Sequence, residues 1–259
     1  MSTALTEFLA DGTRRAASRR WVPEVPVALE FNGLAYAVMM ATPQDLEDFA
    51  IGFAMAEALI SSAAHCTDIA VAQVEAGWIV RAALSGLDID KLTERVRTRV
   101  AESSCGLCGI ENLAALNVAL PPVAAHDPID PAAIFAALAA LRDHQPLTRV
   151  TGAAHAAAWI DPAGQIGCVR EDVGRHNAFD KLVGACARGG QPLSHGFVLS
   201  SARCSYEIVE KAVRGGATTL VCVSLPTSMA MERARAAGLS LWALARDDSV
   251  LLVNDGSAR

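Results

Sequence analysis

The sequence lacks any apolar run of the roughly 20 residues that a membrane-spanning helix requires, although 52% of its residues are hydrophobic. Much of that fraction is alanine rather than leucine, isoleucine or valine. The most apolar helical stretch, residues 49–60, is interrupted by Glu57. We therefore expect a soluble chain with no membrane partner.

Export signals and long basic blocks are also missing. Two arginine doublets, Arg14-Arg15 and Arg19-Arg20, stand near the amino end, but no apolar run of signal-peptide length follows either. This pattern predicts a cytoplasmic protein. The formal net charge is −6 and no basic block follows Arg20, which argues against nucleic acid as a partner.

The length of 259 residues suits one large domain or two smaller ones. Residues 1–20 are polar and alanine-rich, so we expect them to be disordered. Strand-like runs joined by Asn32-Gly33 predict a hairpin, and Thr42-Pro43-Gln44-Asp45 predicts the start of a helix. With two further strands and a second helix, residues 21–120 are predicted to form a small α+β domain.

The second half alternates strands and helices, and the proline-rich segment 121–128 is interpreted as the connection to it. Apolar runs predict strands near 156–160, 165–170, 197–200, 218–224, 239–245 and 250–253. Helical patterns begin near 130, 175, 205 and 226. This order predicts a three-layer α/β domain over residues 128–259, in which ligands gather at strand ends and helix starts.

One Cys-x-x-Cys pair, Cys105 and Cys108, lies in a glycine-rich loop. A structural zinc site normally needs a second such pair or a matching histidine pair, and the sequence has neither. A thioredoxin-like site needs the pair directly after a strand, whereas the segment before this loop has a helical pattern. Glycines beside a thiolate suit nucleophilic sulfur chemistry. The spacing alone leaves sulfur or redox chemistry and a metal or structural role open.

Four other cysteines, Cys168, Cys186, Cys204 and Cys222, are eighteen residues apart. Their flanking sequences do not repeat, so we attach no meaning to the spacing. Cys186 falls on an apolar helix face and Cys222 in an apolar strand. Both are interpreted as small core residues.

The densest polar run of the second half is 170–177, between an apolar strand and an apolar-faced helix. Glu171 and Asp172 suit a helix cap, whereas Arg175 and His176, at the first helical turn, suit an anion. His155, before an apolar strand, is more typical of a structural histidine. The turn 200–203 suits either a phosphate or an ordinary helix cap, and 246–249 suits a polar hairpin turn.

Taken together, these motifs resemble the FdhD family of formate dehydrogenase accessory proteins, collinearly from about residue 21 to 246. The motifs that carry the resemblance are Glu24-Val25-Pro26, Asn32-Gly33, Thr42-Pro43-Gln44-Asp45-Leu46-Glu47-Asp48, Ser104-Cys105-Gly106-Leu107-Cys108-Gly109, Thr151-Gly152-Ala153-Ala154-His155-Ala156-Ala157, Glu171-Asp172-Val173-Gly174-Arg175-His176-Asn177-Ala178-Phe179-Asp180-Lys181 and Ser224-Leu225-Pro226-Thr227-Ser228. The charged stretch is the most specific of them.

The resemblance implies a sulfurtransferase that accepts persulfide sulfur from an L-cysteine desulfurase. It passes this sulfur to the bis-guanine-dinucleotide molybdenum cofactor, bound as substrate, before formate dehydrogenase is activated. The implied fold is a cytidine-deaminase-like α/β domain preceded by a smaller α+β domain, usually as a homodimer. No structural metal is expected.

By position, the resemblance makes Cys105 the persulfide-bearing residue and Cys108 an assisting or resolving thiol. Arg175 and His176 become candidates for the cofactor's phosphates. The cofactor-binding segment falls on Leu244, Ala245, Arg246, Asp247, Asp248 and Ser249. Here the sequence departs from the family, which usually has a Gly-Arg pair where Asp247-Asp248-Ser249 stands.

Two other functions were weighed. A zinc deaminase needs a His-x-Glu motif followed by Pro-Cys-x-x-Cys, but His155 is followed by Ala156-Ala157 and the cysteine pair precedes it. A non-enzymatic chaperone that only shields the dehydrogenase or its cofactor stays the alternative. It predicts that removal of both loop thiols leaves activity intact.

Overall fold

The computed structural model describes residues 2–87 and 118–257. The predicted helix at 89–100 and the Cys105-Cys108 loop lie outside the described residues. The described elements form a terminal hairpin, a four-stranded unit and a six-stranded unit. No helix in the described ranges is long and apolar enough to cross a bilayer.

The first twenty residues differ from the predicted disordered segment. Strands β1 (Ser2–Phe8) and β2 (Arg14–Arg20) pair in an antiparallel hairpin. The turn between them depends on Asp11, whose carboxylate accepts from the Thr13 amide at 2.9 Å, and on Gly12 at φ +85°. An aspartate-glycine turn is a strong hairpin signal, and the polar composition of the strands concealed it.

The four-stranded unit confirms the predicted strands and the first helix. Its strands are β3 (Val25–Phe31), β4 (Leu34–Ala41), β5 (Cys66–Val74) and β6 (Gly77–Leu84), in the order β4-β3-β6-β5. Helix α1 (Leu46–Ala56) packs on this sheet, with Phe49 and Phe53 in a core that includes Phe31. The hairpin turn has positive φ at Asn32 and Gly33, as a type I′ turn requires.

The six-stranded unit contains the remaining strands and helices. Its strands are β7 (His155–Ile160), β8 (Ile166–Asp172), β9 (Phe197–Ser200), β10 (Thr219–Cys222), β11 (Ser240–Ala243) and β12 (Leu251–Asn254), in the order β12-β11-β10-β9-β7-β8. Its helices are α2 (Pro131–Leu141), α3 (Pro146–Thr151), α4 (Arg175–Arg188), α5 (Tyr206–Arg214) and α6 (Ser228–Ala237). Short 3-10 helices lie at Ala63–His65, Arg142–His144 and Leu193–His195.

Helices cover both faces of this mixed sheet. Alternate strand residues face opposite sides, so Val198 packs with α4, α5 and α6, whereas Leu199 packs with α2. This confirms the predicted layering of helix, sheet and helix. The finer expectation, a cytidine-deaminase-like arrangement, and the boundaries at 120 and 128 stay predictions.

The two units meet where α1 crosses α4. A Cβ atom at Gly52 would lie 1.8 Å from the Asp180 carbonyl oxygen, and one at Gly184 would lie 1.9 Å from the Asp48 carbonyl oxygen. Only glycine lets two helix backbones approach this closely. The crossing therefore fixes the position of the first unit against the start of α4.

Candidate functional site

Several polar segments meet at one edge of the six-stranded sheet. Strands β9, β10 and β11 are parallel, and β8 runs in the same direction because both β8 and β9 are antiparallel to β7. The carboxyl edge, as we name it, comprises His155, the start of α4 at 175–176, the loops 201–205 and 223–227, and the turn 244–249. Ligands of α/β sheets bind at such an edge.

Two arginines and two histidines cluster at the carboxyl edge. Burial lowers the pKa of His155, and the neighbouring Arg175, His176 and Arg203 lower this pKa further. Arg203 is exposed, whereas the other three side chains are partly buried. Like charges held together repel each other, and an anion between them would relieve that repulsion.

Three buried polar atoms of this region make no hydrogen bond of normal length among the described residues: Arg175 Nε, His176 Nε2 and Ser205 Oγ. His176 and Ser205 face the Glu207 carboxylate at longer range. Buried polar groups are normally satisfied, and an unsatisfied one calls for an explanation such as an absent ligand. Arg175 and His176 open α4, and Ser205 is the N-cap of α5. The guanidinium, the imidazole and the hydroxyl are donors that suit phosphate oxygens.

Two of the helix starts at this edge, those of α4 and α5, lack the usual side-chain caps. Gly174 is the N-cap of α4 and makes no side-chain hydrogen bond, and the first turn of α4 contains no acidic residue. Ser205 likewise makes no capping bond to α5. The amides at the start of a helix favour negative charge. With the unsatisfied donors, they make this edge a site suited to an anion.

Glu207 places a negative charge beside His176 at this edge. Its Oε2 lies 3.7 Å from His176 Nε2, an ion-pair rather than a hydrogen-bond distance. Burial raises the pKa of Glu207, but hydrogen bonding with His176 and Ser205, together with the charge of His176, outweighs burial, and the pKa falls to about 2. The carboxylate is therefore ionised at any physiological pH and holds His176 at the start of α4.

The pH dependence of stability should report this carboxylate. Because the folded pKa of Glu207 lies below the unfolded value of about 4.3, its contribution is complete above that value and is lost as the pH falls towards 2. We expect Glu207→Gln to lower the free energy of unfolding at pH 7 by about 1–2 kcal/mol. The gap should close between pH 4 and 2 in chemical denaturation. Exposed Glu232 is the control, since Glu232→Gln should show no such closing gap.

The turn 244–249 lies at the carboxyl edge, as a polar hairpin turn between β11 and β12. The Arg246 amide donates to the Ser249 carbonyl at 2.9 Å, and the Arg246 guanidinium donates to the Val223 carbonyl. Leu244 has φ +48°, a conformation that costs a residue with a side chain about 1–2 kcal/mol. Asp247 and Asp248 are exposed, so this segment adds negative charge to the edge.

Most of the charged stretch has a structural role. Asp172 and Lys181 are fully buried and form an ion pair of 2.6 Å. The Thr42 amide donates to Asp172 at 2.9 Å, and Lys181 donates to the Thr42 carbonyl at 2.9 Å. Asn177 bridges Asp172 and the Met40 carbonyl at 3.0 and 2.8 Å. This network joins the end of β4 to the start of α4.

Glu171 also differs from its sequence interpretation as a cap of the following helix. Its carboxylate accepts from the amides of Leu147 and Thr148 at 2.7 and 2.8 Å, and from the Thr148 hydroxyl at 2.6 Å. It therefore caps the preceding helix, α3. Asp172 accepts from the Gly174 amide at 2.7 Å, which shapes the turn into α4.

The predicted site residues Arg175, His176 and the segment Leu244–Ser249 lie at the same edge. Ser205 and Glu207 also lie there, and their only sequence signal is their place at a helix start after a strand. Cys105 and Cys108 lie outside the described residues. On the near side of that segment, Leu87 packs on the first core, and on the far side the Val118 carbonyl accepts from Arg233 of α6 at 2.8 Å.

Comparison with known proteins assigns the chain to a family. The sequence model of the FdhD/NarQ family matches residues 22–257. The chain belongs to the FdhD/NarQ family. Sulfur carrier protein FdhD of Chromobacterium violaceum is 44% identical over 248 residues, which cover 95% of this chain and 92% of the relative. Its namesake in Variovorax paradoxus is 43% identical over 236 residues, covering 91% and 85%.

A solved structure matches this chain in fold as well. The crystal structure of a formate dehydrogenase accessory protein from Desulfotalea psychrophila superposes with a TM-score of 0.76 at 22% identity, covering 98% of this chain and 96% of that one. At this identity the match concerns the fold alone. The matched range of the FdhD/NarQ family includes both the cysteine pair and every segment of the carboxyl edge.

Proposed function

We propose that this chain is a sulfur carrier that supplies the bis-guanine-dinucleotide molybdenum cofactor of formate dehydrogenase. The observation that carries the proposal is the identity of 43–44%, over nearly the whole chain, to proteins named sulfur carrier protein FdhD. An L-cysteine desulfurase is the sulfur donor, and formate dehydrogenase is the enzyme that the sulfurated cofactor activates. The chain acts in the cytoplasm, as a homodimer.

The carrier step needs one nucleophilic thiol. The Cys105 thiolate attacks the outer sulfur of the desulfurase persulfide, the donor's S–S bond breaks, and the desulfurase thiolate leaves. Cys105 then holds the sulfur as a persulfide. Attack of the Cys108 thiolate on the inner Cys105 sulfur would release the outer atom as hydrosulfide and leave a Cys105–Cys108 disulfide. Cys108 is thus the resolving thiol of this scheme.

The carboxyl edge supplies the acceptor side. The cofactor presents phosphates, and Arg175, His176 and Ser205 present unsatisfied donors at two uncapped helix starts. Charge-assisted hydrogen bonds to phosphate are the strongest available to these groups. The turn Leu244–Ser249 would contact the nucleotide through its backbone, since Asp247 and Asp248 repel phosphate.

The described chain from residue 118 onwards runs along α6 beside this edge. The Val118 carbonyl accepts from Arg233, in the middle of α6, and the Val123 amide donates to Ala237, in its last turn, at 2.8 Å. From Val123 back to Val118, the chain therefore follows α6 towards its start. The start of α6 lies beside the loop 223–227, at the carboxyl edge.

Nucleotide binding tests the acceptor side. We expect Arg175→Ala to weaken the binding of guanosine diphosphate about ten- to hundredfold, because one charge-assisted hydrogen bond contributes about 1.5–3 kcal/mol. The measurement is calorimetric titration of the full-length chain. Exposed Arg235, in the last turn of α6, provides the matched control, and Arg235→Ala should bind as the unmodified chain does. Unchanged affinity in Arg175→Ala would remove Arg175 from the site.

Formate dehydrogenase activity distinguishes sulfur transfer from the chaperone alternative. The chaperone alternative predicts that a Cys105→Ser/Cys108→Ser chain still supports formate dehydrogenase activity. Sulfur transfer predicts that this activity is lost while nucleotide binding remains.

A further inference from the structure

The cysteines with eighteen-residue spacing form two pairs in space. Cys168 packs against the core cluster that contains Cys186, and these two thiols share a hydrogen bond. Cys204 and Cys222 both lie in that cluster and also share one. All four, together with Cys66, are free thiols. The first pair joins a strand, β8, to helix α4. The second pair joins the loop 201–205 to the end of β10.

The Cys204–Cys222 pair has the surroundings of an inert core pair. Both residues are fully buried. Hydrogen bonding with Cys204 and burial both raise the pKa of Cys222. Structural thiols in apolar surroundings are unreactive, so this pair serves as an internal reference.

The Cys168–Cys186 pair lies beside a cation and near solvent. Cys168 is only partly buried, in β8 at the edge of the sheet. Arg170 Nη1 lies 3.5 Å from its Sγ, and Asp48 holds the same guanidinium through bonds of 2.9 and 2.8 Å. Cys186 lies in the last turns of α4 and is buried.

Charge and hydrogen bonding single out Cys168 as the nucleophile of the pair. The hydrogen bond from the Cys186 thiol and the charge of Arg170 lower the pKa of Cys168 to about 7, against burial and the carboxylates of Asp48 and Asp45. The same hydrogen bond raises the pKa of Cys186. A low-pKa thiol that reaches solvent beside a second thiol is the usual arrangement of a redox-sensitive cysteine.

We propose that Cys168 and Cys186 form a hydroperoxide-sensitive dithiol, separate from the Cys105-Cys108 pair, in which Cys168 is oxidised and Cys186 resolves. The Cys168 thiolate attacks one oxygen of a hydroperoxide, the O–O bond breaks, and the alcohol or water leaves after taking a proton. Cys168 becomes a sulfenic acid. The Cys186 thiol loses its proton and attacks that sulfur, the S–O bond breaks, water leaves, and a disulfide forms. Two thiols lose two electrons, and the hydroperoxide is reduced to alcohol and water.

The disulfide would act at the junction of the two units. It would tie β8 to the end of α4 and remove the thiolate that faces Arg170. Arg170 and Arg188 both donate to Asp48 of α1. Oxidation would therefore change the charge balance of the contact between α1 and α4.

The test uses the full-length chain with Cys105→Ser/Cys108→Ser, so that the loop thiols take no part. Brief alkylation with iodoacetamide at pH 7, followed by peptide mapping, should modify Cys168 about fivefold faster than an ordinary thiol, since a larger thiolate fraction outweighs its lower nucleophilicity. Cys204 and Cys222 should stay unmodified in the folded chain. The rate at Cys168 should rise with pH around an inflection near 7.

Two substitutions of Cys186 separate its hydrogen bond to Cys168 from its role in forming the disulfide. Cys186→Ser keeps a donor, so fast alkylation should persist, and hydrogen peroxide should stop at a sulfenic acid on Cys168 that dimedone traps. Cys186→Ala loses the donor, and alkylation should slow severalfold. With Cys186 present, peroxide should give a Cys168–Cys186 disulfide and a mass loss of two hydrogens.

Equal alkylation of Cys168 and Cys66 would overturn the proposal. So would peroxide treatment that yields a Cys204–Cys222 disulfide first, or none. Because the loop cysteines are absent from this chain, failure here would leave the sulfur-carrier function untouched.

Discussion

Replacement of Lys181 by methionine is expected to lower the free energy of unfolding by about 3–5 kcal/mol. Lys181 and Asp172 are both fully buried and lie 2.6 Å apart. Without the ammonium group, the buried Asp172 carboxylate loses its counter-charge, and the Thr42 carbonyl loses its donor. Since Asp172 and Thr42 belong to different units, the loss should weaken the junction that positions α4.

Exposed Arg81 provides the matched control for this substitution. It also forms a 2.6 Å ion pair, with Glu30, but its side chain is 59% exposed. Arg81→Met should cost about 1 kcal/mol or less, because solvent screens such pairs. Urea unfolding of both variants gives the comparison. A cost below about 1 kcal/mol for Lys181→Met would contradict the assignment of this pair as the centre of the junction.

Much of the fold could be predicted because its signals are local. The Asn32-Gly33 hairpin, the helix after Thr42-Pro43 and strand 197–200 depend on turn residues and apolar periodicity within a few residues. The predicted strands and helices of residues 128–259 are confirmed, but the sequence did not indicate the short helix α3 among them. Such patterns are complete within one element, so the rest of the chain is not needed to interpret them.

The misjudged segments have weak local signals. Strand β2 is mostly exposed, and a polar strand has no apolar alternation to mark it. Helix α3 spans only Pro146–Thr151, too few residues for a helical pattern, and depends on Glu171 for its cap. Glu171 lies 23–24 residues further along the chain than the amides that it caps, which is beyond the range of a local pattern.

The roles of the site residues depend on contacts still more distant in sequence. Thr42 and Asp172 are separated by 130 residues, so a charged stretch that suggested an anion site proved largely structural. Within that stretch, Arg175 and His176 keep unsatisfied donors. The eighteen-residue cysteine spacing likewise does not indicate which thiols are neighbours, because the pairing depends on the fold.

Substitution of Cys105 by serine should abolish sulfur loading completely. A hydroxyl at this position is un-ionised at neutral pH and forms no persulfide, whereas a thiolate attacks sulfane sulfur readily. Cys108→Ser should still load, because resolution follows loading. Substitution of Cys66, a partly buried thiol whose pKa is raised by burial, should also leave loading unchanged.

The decisive measurement is the intact mass of the chain after incubation with a cysteine desulfurase and L-cysteine. The account predicts that the unmodified, Cys108→Ser and Cys66→Ser chains gain one sulfur atom that dithiothreitol removes, and that Cys105→Ser gains none. No gain in the unmodified chain, or an equal gain in Cys105→Ser, would contradict the assignment of this protein as a sulfur carrier through Cys105.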